Sequence, residues 1–239
     1  MVCPLYASLE AAVEPTRRLA SYEHTPSASS TSLTLASSAV PARGRPERIA
    51  HAISLIFLPP LVAIATFAVV SVHLADSGLD AVLFAVIASV FVAILPVGYI
   101  AWLLRHERVH GGIDLEFRQE RQAPYLLAAA SSGVGEAALW AVGAPASMLV
   151  LATLYGVSAV LMAVINRRWK ISAHAAGAGI GLGAMVSSFG AIALPLAILL
   201  PAACWARVRI DMHSRAQVIA GATLGTLTGL APLAMHGLH

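Results

Sequence analysis

The chain has 239 residues, 58% of them apolar and 11% charged, with a mean hydropathy of +0.78; a soluble domain carries about 25% charged residues. This composition excludes an ordinary soluble globule, a disordered protein and a disulfide scaffold. The net charge of +3 is modest, and the two cysteines, Cys3 and Cys204, stand in no C-x-x-C or metal-binding spacing, which argues against thiol redox and zinc chemistry.

Residues 1–47 are rich in Ser, Ala, Thr and Pro, with Ser27-Ala28-Ser29-Ser30-Thr31-Ser32 as the clearest run. They lack the apolar core of a signal peptide and read as a disordered tail, leaving residues 48–239 as a membrane-embedded domain. Residues 49–75, 81–104, 171–206 and 216–239 contain no Lys, Arg, Asp or Glu, and residues 122–166 contain only Glu136. A membrane-spanning helix needs about 20 apolar residues. Segments 49–75, 81–104 and 216–239 therefore predict one span each. Segment 122–166 predicts two, turning near Gly143-Ala144-Pro145. Segment 171–206 predicts either two short spans turning near Gly190 or one span with an interfacial helix. The expected fold is all-α, a polytopic bundle of six to seven spans.

With seven spans, the tail and the loops 105–121, 167–170 and 207–215 share one side. That side carries all 15 Lys and Arg residues, and the other carries only Asp76 and Asp80. The positive-inside rule places the basic side in the cytoplasm, giving a multi-pass cell-membrane protein with a cytoplasmic N-terminus. Gly177/Gly181, Gly179/Gly183 and Gly221/Gly225/Gly229 are small-xxx-small patterns, which predict close helix packing. No internal repeat is evident, so an inverted-repeat transporter has no sequence support.

Three basic clusters fall on that one side. In the first, Arg118 and Arg121 lie three apart, a spacing that on a helix makes a guanidinium fork for phosphate. In the second, Lys170-Ile171-Ser172-Ala173-His174 opens a helix, whose N-terminal N–H groups favour an anion. In the third, Gln217 follows His213 by four residues. A side-chain oxygen there can take the Nδ1 proton and leave Nε2 free as a nucleophile. Glu136, alone in the third span, either pairs with one of these arginines or is protonated and packed. His106, His110 and Arg105 flank the membrane, and His24, His51, His73, His236 and His239 belong to no motif.

Together these clusters resemble the type 2 phosphatidic acid phosphatase superfamily, whose pattern is K-x6-R-P, then P-S-G-H, then S-R-x5-H-x3-D. Arg207-x5-His213-x3-Gln217 is similar to the third motif and Ser172-Ala173-His174 to the second. Arg121 and Pro124 echo the first. The resemblance covers residues 105–225, and it departs at several positions. Asp114 stands where the family has its lysine, Ile171 and Ala173 replace Pro and Gly, Ala206 replaces Ser, and Gln217 replaces the family Asp. The resemblance implies a metal-independent hydrolase of lipid phosphates that uses no cofactor. His213 would be the nucleophile, forming a phosphohistidine, and His174 the general acid and base. Gln217 would orient His213, while Arg121 and Arg207, with Arg118, Lys170 and Ser172, would bind phosphate. A site at the cytoplasmic interface fits a polyprenyl or glycerolipid phosphate, with the bilayer and the lipid, not nucleic acid, as partners. It also requires 171–206 to be a hairpin, since both histidines must meet one phosphate. A phosphotransferase or diphosphate-cleaving enzyme on this scaffold, and a catalytically inactive lipid-binding or scaffold protein, are the other expectations.

Overall fold

A computed structural model of the protein describes residues 44–110 and 112–236. The expected tail lies outside the described residues as far as position 43. Helix α1 (Arg45–Ile56) begins three residues before the expected boundary, with Pro46 in its first turn and Glu47 closing a capping box on the Gly44 N–H. Among the described residues every regular element is helical.

The segment 49–75 is not one straight span. Pro59 and Pro60 lack N–H groups and push the preceding residue out of helical geometry. The chain breaks at Phe57-Leu58, and α2 (Pro59–Leu74) leaves α1 at 49°. Ser77 then caps α3 (Gly78–Ser89), accepting from the Asp80 N–H at 3.1 Å. A π-helical turn (Val90–Ile94) joins α3 to α4 (Leu95–Arg105). Pro96 explains it. Its ring cannot face the carbonyl one turn back, and one wide turn relieves the clash. The Phe91 carbonyl, which the missing Pro96 N–H leaves without a partner, accepts the Ser131 hydroxyl from the next helix.

A loop leads to a 3₁₀ turn (Arg118–Arg121) and α5 (Gln122–Ala141). Gly143 (φ 76), Ala144 and Pro145 make the expected turn into α6 (Ala146–Asn166). The Gly143 N–H bonds the Trp140 carbonyl and the Ala144 N–H the Leu139 carbonyl, the paired ending of a Schellman motif. Then come α7 (Ala173–Phe189), a 3₁₀ run (Gly190–Ile198), α8 (Leu199–Arg209) and α9 (Arg215–His236).

The stretch Ala173–Arg209 is 37 residues long, and a straight helix of that length runs about 55 Å. Yet His174 near its start and Arg207 near its end both reach the carboxylate of Asp114. The stretch therefore doubles back, with Gly190 (φ 64) opening the reversal. Helices α7 and α9 run parallel in backbone contact. A Cβ on Gly179 would lie 2.7 Å from the Ala222 carbonyl, one on Gly183 would lie 2.6 Å from the Gly229 backbone, and one on Gly225 would strike the Ala176 carbonyl. Gly179/Gly183 and Gly221/Gly225/Gly229 thus form a close backbone seam between two helices whose N-termini share one end, while Gly177 and Gly181 face Pro59, Val62 and Thr66 of α2.

Three stretches, Gly78–Arg105, Ala146–Asn166 and Ala173–Arg209, are long and apolar enough to cross a membrane, and the bent α1–α2 pair makes a fourth candidate. Helix α5 is less apolar because it carries Ser131, Ser132 and Glu136. Large apolar side chains face outward: Leu79, Ile192, Ile198 and Val72 are each more than 70% exposed, whereas Arg121, Arg207, His174 and His213 are buried. This inversion of the usual soluble pattern fits a hydrocarbon solvent and marks a membrane protein. Phe67, Val70, Phe84, Leu139, Met148 and Leu151 form the main apolar core among α2, α3, α5 and α6.

Glu136 does not meet a motif arginine. It lies 15 residues beyond Arg121, about 22 Å along α5, and lines a cleft between α5 and α6 with Gly133, Thr153 and Gly156.

Candidate functional site

The three basic loops and the end of α8 converge at one end of the bundle. Helix α8 ends on a Schellman turn: the Asp211 N–H bonds the Val208 carbonyl and the Met212 N–H the Arg207 carbonyl, with Asp211 in the left-handed region at φ 56. This turn folds the chain back so that the His213 N–H also reaches the Arg207 carbonyl at 3.3 Å. The spacing Arg207-x5-His213 therefore places both side chains in one buried cluster. His213 and His174 stand beside the N-termini of α9 and α7, where the positive ends of two parallel helix dipoles add. The Ser172 N–H donates to the Gln217 carbonyl at 3.3 Å, tying the two starts together.

Arg121, 3% exposed, is the hub. Its Nε donates to the Leu115 carbonyl at 2.6 Å, Nη1 to the Ile171 carbonyl at 3.1 Å, and Nη2 to the Asp114 carbonyl at 3.1 Å. Nη1 also lies 3.4 Å from His213 Nε2. A guanidinium can only donate. Nε2 is therefore the acceptor and holds the lone pair, and the ring proton sits on Nδ1. Burial first, and then the charges of Arg121, Arg207 and Lys170, push the His213 pKa down to about 2. Burial and these cations favour the neutral imidazole, whose Nε2 lone pair could attack phosphorus once a phosphoryl group takes over the Arg121 N–H.

Arg207, 1% exposed, donates from Nη1 to Asp114 Oδ2 at 2.9 Å and to the Ser54 hydroxyl at 2.8 Å. His174 Nε2 lies 3.7 Å from Asp114 Oδ1, outside hydrogen-bond range. Burial alone would raise the Asp114 carboxyl, but His174, Arg207 and Arg121 outweigh it and hold the group below the ordinary carboxylate range. Lys170 donates to the Met212 carbonyl at 3.0 Å, and burial, with Arg121 nearby, pushes its ammonium down. His174 Nε2, Arg207 Nε and His213 Nδ1 are buried with no hydrogen-bond partner.

Three sequence expectations need correction. Arg118 does not form a fork with Arg121. Its Nη1 donates to the Asn166 carbonyl at 3.1 Å and to the Arg167 carbonyl, and Asn166 Nδ2 donates back to the Arg118 carbonyl at 2.8 Å. The free carbonyls and negative dipole at the end of α6 draw it away. Gln217 does not orient His213. Its Oε1 accepts from the Ser214 N–H at 3.0 Å while the Ser214 hydroxyl accepts from the Gln217 N–H at 3.3 Å, a capping box that starts α9. Ser172 is fully buried, and its hydroxyl caps α7 through the Ala175 N–H at 3.4 Å. That leaves His213, His174, Arg121, Arg207 and Lys170 in the cluster.

Motif matching reached Asp114 only as a departure from the pattern and missed its role, pairing with Arg207 and facing His174. The Asp114 loop is held firmly: Leu115 adopts the left-handed region at φ 49, which costs a non-glycine residue about 1 kcal/mol, while Arg121 grips the carbonyls of both residues and the Leu115 side chain is buried. No protein-family model matches this chain, and no curated protein or solved structure matches it significantly either.

Proposed function

We propose that the protein is an integral-membrane lipid-phosphate phosphatase of the phosphatidic acid phosphatase type 2 kind, working through a phosphohistidine on His213. The observation that carries the reading is the 3.4 Å approach of Arg121 Nη1 to His213 Nε2, inside a cluster that also gathers His174 and Arg207. A phosphoryl group held by Arg121, Arg207 and Lys170 would lie against the Nε2 lone pair. Nε2 attacks phosphorus, the ester P–O bond breaks, and His174 gives its proton to the leaving lipid alkoxide. His174 then takes a proton from water, the hydroxide breaks the P–N bond, and inorganic phosphate leaves. The arginines neutralise charge as it develops on the equatorial oxygens.

In this reading the bundle crosses the bilayer seven times: α2, the α3–α4 stretch, α5, α6, α7, the return limb through α8, and α9. The site and the N-terminus lie on the cytoplasmic side, and a polyprenyl or glycerolipid phosphate enters with its chain in the membrane. Phosphate release from a panel of lipid phosphates, by the protein in detergent with EDTA and beside His213→Ala, tests it. Release that is abolished in the variant, with acid-labile phosphate trapped on the wild type, is the expected result. No release from any lipid by a folded protein overturns it.

One observation favours a second reading. Gln217 is turned into a cap and leaves His213 Nδ1 without an acceptor. A protein that binds lipid phosphates without cleaving them fits that arrangement, and lipid phosphate retained without turnover identifies it. Product analysis separates transfer to an alcohol, or release of diphosphate, from hydrolysis.

A further inference from the structure

Asp114 bears on how the site is filled, and the argument rests on the phosphate-binding half of the reading above. Its two carboxylate oxygens reach the guanidinium of Arg207, 2.9 Å away, and face the imidazole nitrogen of His174, 3.7 Å away. These are groups a phosphoryl anion would need. A phosphate oxygen within hydrogen-bond range of both would fall on the carboxylate itself, so the two anions exclude each other. The seat has unused capacity, because Arg207 Nε and His174 Nε2 are buried donors or acceptors with no partner. Asp114 also arrives on a loop fixed for that purpose. Gly112 (φ 64) and Leu115 (φ 49) bend the backbone on either side, and Arg121 holds the Asp114 and Leu115 carbonyls.

We infer that Asp114 is a resident anion in the phosphoryl seat of Arg207 and His174, a specificity-determining residue that any tetrahedral phosphoryl anion must displace to bind. The carboxylate satisfies Arg207 in the empty protein and sets the threshold for occupancy. Weak or poorly positioned anions do not displace it. A lipid phosphate, delivered with its chain anchored in the bilayer, does.

Asp114→Ala leaves Arg207 buried without a counter-ion, and phosphate can refill the vacated space. The test is the unfolding temperature of full-length wild type and Asp114→Ala in detergent, titrated with orthophosphate, with an alkyl phosphomonoester in mixed micelles, and with chloride at matched ionic strength. The expected result is that Asp114→Ala is destabilised and that a phosphoryl anion restores it at a concentration at least tenfold below that needed for any shift in the wild type, while chloride does not. Rescue by orthophosphate identifies a seat open to free phosphate; rescue by the alkyl phosphate alone identifies one reached from the bilayer. If Asp114→Ala aggregates in chloride, the comparison becomes its folded yield with and without phosphate during solubilisation. Equal responses of wild type and variant, or no rescue by either phosphate, overturn the inference. Neither result bears on phosphate release by the wild type, which tests the phosphatase reading separately.

Discussion

Arg207 Nη1 and Asp114 Oδ2 are 2.9 Å apart, joined across 93 residues of chain, and only 1% of the Arg207 side chain is exposed. Burying a guanidinium is costly unless it is paired and hydrogen-bonded, so this contact fixes the loop before α5 to the end of α8. Asp114→Asn and Arg207→Gln should therefore be strongly non-additive. We expect each single change to cost about 3 kcal/mol and the double-mutant cycle to show a coupling of 1–3 kcal/mol, measured by denaturant unfolding in detergent.

The depressed His213 pKa gives stability a definite pH dependence. An unfolded histidine titrates near 6.5, whereas the folded group, only 6% exposed, stays neutral down to about 2. The unfolded state thus binds more protons below pH 6.5, and stability falls as pH falls through that value. The loss expected from this residue is about 2 kcal/mol at pH 5. The unfolding temperature of His213→Gln, followed from pH 7.5 to 5, should decline less than that of the wild type. Parallel curves would mean that folding does not shift the His213 pKa.

Gln217 should behave as a cap. Gln217→Glu keeps the reciprocal hydrogen bonds with Ser214 and adds charge at a helix start, so its stability should match or exceed the wild type. Gln217→Ala should lose about 1 kcal/mol. If Gln217 acts through helix initiation, any change in lipid-phosphate turnover in Gln217→Ala should follow the loss of folded protein, and kcat per folded molecule should stay within about threefold. A fall of a hundredfold or more in kcat, with stability unchanged, would return it to the role of orienting His213.

The α7–α9 seam should tolerate no added carbon. Gly225→Ala places a methyl on the Ala176 carbonyl, and overpacking of this kind costs about 1–3 kcal/mol or more. Gly133→Ala, on an open face of α5 with nothing within 4 Å, should gain up to about 1 kcal/mol from helix propensity. The two alanine variants, compared by thermal unfolding, separate the packing effect from the propensity effect.

Much of this was legible in the residues. The turn at Gly143-Ala144-Pro145 and the glycine seam follow from composition and spacing, whereas the meeting of His174 with Arg207 followed only from the family resemblance. The break before Pro59 and the π turn before Pro96 also had their signal in proline chemistry. A window scored only for charge and hydropathy passes over them, because proline is apolar. Gln217 was ambiguous in sequence, since four residues after His213 is also three after Ser214. Two side chains competed for one amide, and the capping geometry prevailed. The role of Asp114 was beyond reach. The motif spacing marked its position as a departure, but only tertiary contacts with α7 and α8 set its carboxylate between His174 and Arg207.

The seam has a consequence for how a lipid would enter. Because α7 and α9 touch backbone to backbone, no hydrocarbon tail can lie between the two helices that present the histidines. A chain attached to the reacting phosphate has to leave the cluster on another side, past Ser54 of α1 or over the loop that carries Asp114. In the proposed phosphatase, discrimination among tails of different length or branching would then be written in α1. Substitutions in α1 other than at Ser54, which holds Arg207, should shift lipid preference without touching Arg121 or His213.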